Sequence, residues 1–201
     1  MQRIGILGGS FDPVHFGHLR IAESFLRSGL IEKLLVIPAP TPPHKAEIRT
    51  DFTHRIEMLK LAFQDWDGVE ISDLEMKLPA PSYTVQTIQY LQQENPENIY
   101  FLCLGEDSLI HFHTWHRYKE IIEKVPLLVA ERPGFDSSLV DQQLLENAVF
   151  VDHTPYDVSS SEIRETKESR NELKSILKSV KEYIETHNLY SNIGKGIDQN
   201  S

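Results

Sequence analysis

The sequence predicts an α/β domain: a doubly wound, mainly parallel sheet with helices on both faces. Three observations carry that expectation. Ile4, Ile6 and Leu7 form a short apolar run broken by Gly8 and Gly9, and Leu19, Ala22, Phe25 and Leu26 then recur at helical spacing. Apolar runs and amphipathic stretches go on alternating along the chain. The clearest run, Asn98 to Leu104, ends at Gly105, as a strand does at the cleft where such a sheet reverses its order.

The other elements follow in order. The first helix stops at Gly29, and Lys33 to Ile37 gives a strand ending at Pro38. Pro40-Thr41-Pro42-Pro43-His44-Lys45 is too rich in proline for a helix or central strand, and reads as a stiff loop presenting His44 and Lys45 together. Ile56, Leu59, Ala62 and Phe63 mark a helix that Thr50 or Asp51 can cap. Val69, Ile71, Leu74 and Met76 alternate as a strand with an irregularity near Ser72-Asp73. Ser82 or Thr84 caps a further helix whose buried stripe is Val85, Ile88 and Leu91. Leu127 to Ala130 is a strand, 137 to 147 a helix, and Ala148 to Val151 the last strand. From Asn171 to Leu189 a helix shows Leu173, Ile176, Leu177, Val180 and Ile184 on its apolar face. One domain over residues 1–190 and a flexible tail over 191–201 are expected.

Composition narrows the function. With 201 residues, 40% hydrophobic and 25% charged, the chain suits one soluble domain. A formal net charge of -10 argues against a general nucleic-acid binder, so an anion site must be a local basic pocket. Cys103 is the only cysteine, which rules out an intramolecular disulfide and fits a reducing compartment. No apolar stretch is long enough to span a bilayer, and a cytoplasmic location without membrane contact is expected.

Chemistry concentrates at Gly8-Gly9-Ser10-Phe11-Asp12-Pro13-Val14-His15-Phe16-Gly17-His18. The first N–H groups of a helix lack internal partners and carry the positive end of its dipole, so phosphate is the natural guest there. Gly8 and Gly9 allow close approach to the backbone, and Gly17 keeps the space around the histidines open. His15 and His18, three apart, project from one face of the first helical turn. The glycine spacing fits neither a dinucleotide fingerprint nor a P-loop, and no further ligand completes a zinc set around His-x-x-His. Downstream, Asp107 beside Gly105 either meets a ribose or a metal, or caps a helix. Trp115 offers a stacking face or a core anchor, while His111, His113 and His116 read as solvated. Arg132 falls at a strand end. Ser159, Ser160 and Ser161 with Arg164 form a second candidate anion site at a helix start.

Gly9-Ser10-Phe11-Asp12-Pro13 followed by His15-Phe16-Gly17-His18 resembles the signature of the H-x-G-H nucleotidyltransferases. Pro42-Pro43-His44-Lys45, Ser82-Tyr83-Thr84, Gly105-Glu106-Asp107-Ser108 with Trp115, Arg132-Pro133-Gly134, Ser159 to Arg164 and Tyr183-Ile184 to Leu189-Tyr190 extend the likeness over residues 3 to 190. In that order they resemble the bacterial nicotinate-nucleotide adenylyltransferases. The family often has alanine where Glu106 stands, threonine where Ser161 stands and isoleucine where Val158 stands.

The resemblance implies a Rossmann-like nucleotidyltransferase fold and adenylyl transfer from ATP to nicotinate mononucleotide, releasing pyrophosphate, in NAD synthesis. It implies His15 and His18 as catalytic donors to the triphosphate, with ATP also held by Gly8, Gly9, Ser10, Phe11, Gly105, Asp107, Ser159, Ser160, Ser161 and Arg164. His44, Lys45, Thr84, Trp115 and Arg132 would meet the mononucleotide, and Mg2+ would sit mainly on ATP phosphates without a dedicated protein site. Nicotinamide mononucleotide or phosphopantetheine as acceptor, and a silent nucleotide-binding regulator, stay open, as does assembly into a homo-oligomer.

Overall fold

The structure, a computed structural model, describes residues 1–40, 50–132, 134–156, 158–165 and 175–190. The expected loop residues His44 and Lys45, part of the last helix and the 191–201 tail lie outside them. Among the described residues six strands are formed: β1 (Arg3–Gly9), β2 (Lys33–Pro38), β3 (Val69–Ile71), β4 (Ile99–Gly105), β5 (Leu127–Glu131) and β6 (Ala148–Asp152). They pair throughout in parallel, in the order β3-β2-β1-β4-β5-β6. The order reverses between β1 and β4, so the loops leaving their carboxyl ends flank the cleft.

The helices are α1 (Phe16–Arg27), α2 (Phe52–Phe63), α3 (Leu74–Lys77), α4 (Thr84–Glu94), α5 (Glu106–Ile110), α6 (Tyr118–Lys124), α7 (Gln142–Glu146), α8 (Ser160–Glu165) and α9 (Lys178–Thr186). Period-two alternation sends side chains of one strand to two cores. Ile4, Ile6, Leu102 and Leu104 pack with Leu74, Val85, Ile88, Leu109, Ile121 and Leu144 of α3 to α7. Leu7, Leu34, Val36 and Cys103 pack with Ala22, Phe25, Met58, Leu59, Val180 and Ile184 of α1, α2 and α9. Each fully buried side chain of this kind contributes about 1.5–3 kcal/mol, and together they make three layers.

Most expected elements are present, with α1 closing at Ser28 before Gly29 at φ 67. Three local expectations are corrected. The strand expected through Met76 ends at Ile71, because the Ser72 hydroxyl accepts the Leu74 N–H at 3.2 Å and starts α3. Leu74 is then buried while Met76 is 55% exposed. Tyr83, not Ser82 or Thr84, stands at the N-cap of α4; its N–H is taken by Gln86 Oε1 at 2.8 Å, while Ser82 donates to Glu75 at 3.3 Å. The helix expected over 137–147 is divided, since Asp136 accepts from Ser138 N–H and Asp141 from Gln143 N–H. Each carboxylate starts a turn of its own, Ser137–Leu139 and α7.

Candidate active site

At the end of β1 the chain turns through Phe11, whose φ is 48 and whose ring is 1% exposed. A Cβ at Gly9 would stand 2.9 Å from that ring, whereas one at Gly8 would meet nothing within 4 Å. The first glycine therefore leaves the strand end open and the second lets Phe11 fold under it. His15 then becomes the N-cap of α1 and His18 its third residue, with ring centroids 3.8 Å apart. His18 Nδ1 accepts the His15 backbone N–H at 3.3 Å. An accepting Nδ1 leaves the proton of a neutral imidazole on Nε2, so His18 has a donor at the other edge of its ring. A Cβ at Gly17 would lie 3.0 Å from His15 Cε1 and Nδ1, so only glycine leaves the His15 ring where it is.

The turn is gripped from behind by side chains. Arg55, fully buried on α2, donates to Ser10 O at 2.8 Å, Ala39 O at 2.8 Å, Pro40 O at 3.0 Å and Thr50 O at 3.2 Å. Burial lowers its basicity, and the nearby Asp12 carboxylate opposes that effect. Arg164 Nη1 donates to Asp12 O at 2.7 Å, and Ser160 Oγ to Pro13 O at 3.0 Å. The Tyr190 hydroxyl donates to Asp12 Oδ1 at 2.7 Å; burial first, then that carboxylate, raise the phenol above its usual range.

The expected second anion site thus comes to the glycine turn, but with its groups engaged by protein. Ser159 Oγ accepts the Glu162 N–H at 3.1 Å while Glu162 accepts the Ser159 N–H at 2.7 Å, a reciprocal cap. Ser161 Oγ accepts from Arg164 Nη2 at 3.1 Å. Arg55 and Tyr190 were given no role from the sequence. Arg55 had one signal: a charge on the same helical face as Met58, Leu59 and Ala62, which are all buried.

Across the cleft, Gly105 is the N-cap of α5. Glu106 accepts the Arg132 backbone N–H at 3.0 Å, and Asp107 stands 3.6 Å from Arg132 Nη2. The Glu106 carboxylate therefore ties the end of β4 to the end of β5. Trp115 is half-buried against Phe112, with centroids 4.9 Å apart. Tyr83 stacks on His116 at 4.2 Å, joining the segment with Thr84 to the segment with Trp115. His111 and His113 are exposed. A separate groove of about 570 Å³ between α1 and β6 contains none of these residues, and its Arg20 and Arg27 both pair with Glu23. Among the described residues no group of three or more His, Cys, Asp or Glu could hold a metal ion, and no helix is long and apolar enough to cross a membrane.

The Cytidylyltransferase-like family matches residues 6–166 of this chain, a span holding both histidines, the glycine turn and Arg164. The chain belongs to this family. Within the cytidylyltransferase-like proteins it is 35% identical to the nicotinate-nucleotide adenylyltransferase of Bacillus subtilis over 192 residues, 94% of this chain and 99% of that one. It is 36% identical over 191 residues to an Oceanobacillus iheyensis protein named as a probable nicotinate-nucleotide adenylyltransferase, covering 94% and 97% of the two chains. In structure it is similar to the Plasmodium falciparum nicotinic acid mononucleotide adenylyltransferase complexed with NaAD, with TM-score 0.78 and 23% identity, over 95% of this chain and 98% of that one. This cytidylyltransferase-like chain is a nucleotidyltransferase with the Rossmann-like fold that its sequence predicts. Enzymes of this kind generally use a divalent metal with ATP.

Proposed function

We propose that the chain transfers the adenylyl group of ATP to nicotinate mononucleotide, giving nicotinate adenine dinucleotide and pyrophosphate in NAD synthesis. One observation supports the site assignment: two histidines share the first turn of the helix that follows the central strand β1, their ring centroids 3.8 Å apart and His18 Nδ1 accepting the His15 backbone N–H. The relatives named for this same reaction support the substrate pair.

An oxygen of the mononucleotide phosphate attacks the α-phosphorus of ATP. The bond from that phosphorus to the oxygen bridging towards the β-phosphorus breaks, and its electron pair leaves with pyrophosphate. The nucleophile is already anionic near neutral pH, so no general base is needed. Rate comes from alignment and from stabilising charge on the phosphates. His18, His15 and the first N–H groups of α1 supply donors to the triphosphate, with Gly8, Gly9, Ser10 and Phe11 forming the surface it lies on. Gly105 and Asp107 border the same nucleotide, and Arg164 with the Ser159 to Ser161 hydroxyls closes the opposite side. Thr84, Trp115 and Arg132, with His44 and Lys45, receive the mononucleotide. Mg2+ would be carried mainly by the ATP phosphates and water. When bound it neutralises charge on the departing pyrophosphate.

The test is pyrophosphate release from ATP and Mg2+ with nicotinate mononucleotide, nicotinamide mononucleotide and phosphopantetheine in parallel. Turnover is expected chiefly with the nicotinate form, and greatly reduced turnover in a folded His18→Ala variant. Preference for another acceptor would reject the substrate pocket, and tight ATP binding with no turnover would reject the chemistry.

A further inference from the structure

We infer that Arg55 is a positioning residue, whose guanidinium fixes the glycine turn that receives ATP against the end of β2. The inference rests on the function proposed above. Arg55 lies on neither strand, yet it reaches both. Its Nη1 bonds Ser10 O in the turn and Ala39 O just beyond β2, each at 2.8 Å. Nη2 takes Pro40 O at 3.0 Å and Nε takes Thr50 O at 3.2 Å.

A charged side chain that is 0% exposed costs several kcal/mol of desolvation unless its donors are all met. A hydrophobic residue at 55 would continue the stripe of Met58, Leu59 and Ala62 without that cost. What an apolar side chain could not do is hold carbonyls from separate segments at hydrogen-bond distance from one group. The guanidinium fork is rigid, and that makes it a spacer as well as a donor. The Asp12 carboxylate, held by Tyr190, lies close enough to favour the Arg55 charge. The positive centre behind the turn is thereby balanced from within the protein. It enforces geometry as a protein-internal brace, and the distance it sets is the one between the turn proposed to receive ATP and the end of β2.

Lysine keeps the charge but offers one nitrogen on a flexible stem, so Arg55→Lys should loosen the spacing while preserving burial of the cation. Misplacement of reacting groups by 1 Å costs about a hundredfold in rate. We expect kcat of Arg55→Lys to fall by at least about tenfold, KM for ATP and for the mononucleotide to change less, and Arg55→Gln to fall further. The control is Val125→Ala, a buried core substitution outside the site, with its melting temperature measured beside those of the Arg55 variants; its kcat should stay near wild type. ATP binding without acceptor is measured on the same proteins and should weaken in both Arg55 variants.

Folded Arg55→Lys or Arg55→Gln with wild-type kcat would overturn the inference, as would a kcat loss in Val125→Ala of equal size. Failure of both Arg55 variants to fold would make Arg55 a folding residue only, and would overturn it too. Wild-type protein that binds ATP but turns over no acceptor would instead defeat the functional reading. Positioning is then decided by ATP affinity: weakening in both Arg55 variants but not in Val125→Ala upholds it, and unchanged affinity overturns it.

Discussion

Replacing Gly17 with alanine perturbs the histidine pair without altering either imidazole. The new methyl would lie 3.0 Å from His15 Cε1 and Nδ1, and 3.5 Å from Tyr156 O. Optimal carbon contacts are about 3.5–4.0 Å, so the ring must move by roughly 0.5 Å or more. His15 is 7% exposed and its ring lies tilted against His18 at a centroid distance of 3.8 Å, so the displacement carries into the pair. Alanine is preferred to glycine in a helix by up to about 1 kcal/mol, which offsets much of the contact. Net stability should therefore change by less than about 1 kcal/mol, or about 2–4 °C in melting temperature for a domain of this size. Rate has no such compensation, and a half-ångström error at the reacting centre costs about tenfold. Pyrophosphate release and thermal melting, measured on one preparation, separate the two effects. The expected result is a nearly unchanged melting temperature with kcat down about tenfold. A kcat within twofold of wild type would refute the placement of His15 in the chemistry.

Three further substitutions address the surroundings of the site. Tyr190→Phe removes a 2.7 Å bond to the buried Asp12 carboxylate and should cost about 1.5–3 kcal/mol in urea unfolding; a loss below about 0.5 kcal/mol would contradict the bond's importance. Burial, and then the Arg132 charge, hold His153 below its ordinary value of 6.5. The unfolded chain gains a proton that the folded chain resists, so this contribution is present above 6.5 and fades as pH falls below it. His153→Gln should flatten that acid-side decline in melting temperature, and an unchanged profile would count against it. Glu106→Ala frees the Arg132 backbone N–H and should raise KM for the mononucleotide by about threefold to tenfold, a loss of about 1 kcal/mol. Equal effects on both substrates would place Arg132 elsewhere.

What the sequence made legible depends on how local the signal was. β1, the glycine turn and α1 are set by neighbours in sequence, so the run to Leu7, the break and the 3.6-residue stripe were enough to find them. The switch point followed in the same way from the apolar run ending at Gly105. Leu74 and Met76 misled because alternation over a few residues fits a strand as well as a short turn of helix; the deciding bond, from Leu74 N–H to the Ser72 hydroxyl, is invisible in a hydrophobic pattern. Arg55 and Tyr190 act on carbonyl or carboxylate groups 45 and 178 positions away, and no spacing rule reaches so far. The serines were found as a cluster, but not their present partners, because a hydroxyl that can bind phosphate can equally bind Pro13 O.

The grip on the glycine turn also gives it a polarity. A trans peptide plane points its carbonyl and its N–H in opposite directions. Ser10 O is drawn to Arg55 and Pro13 O to Ser160, so the Phe11 and Val14 N–H groups point away from those two partners. Asp12 O is drawn to Arg164, and the next residue is a proline with no N–H to direct. The negative ends of these peptide dipoles are thus neutralised by protein donors. In a chain of formal net charge -10, an incoming anion is not repelled by these lone pairs, and the backbone supplies attraction that composition alone would deny it.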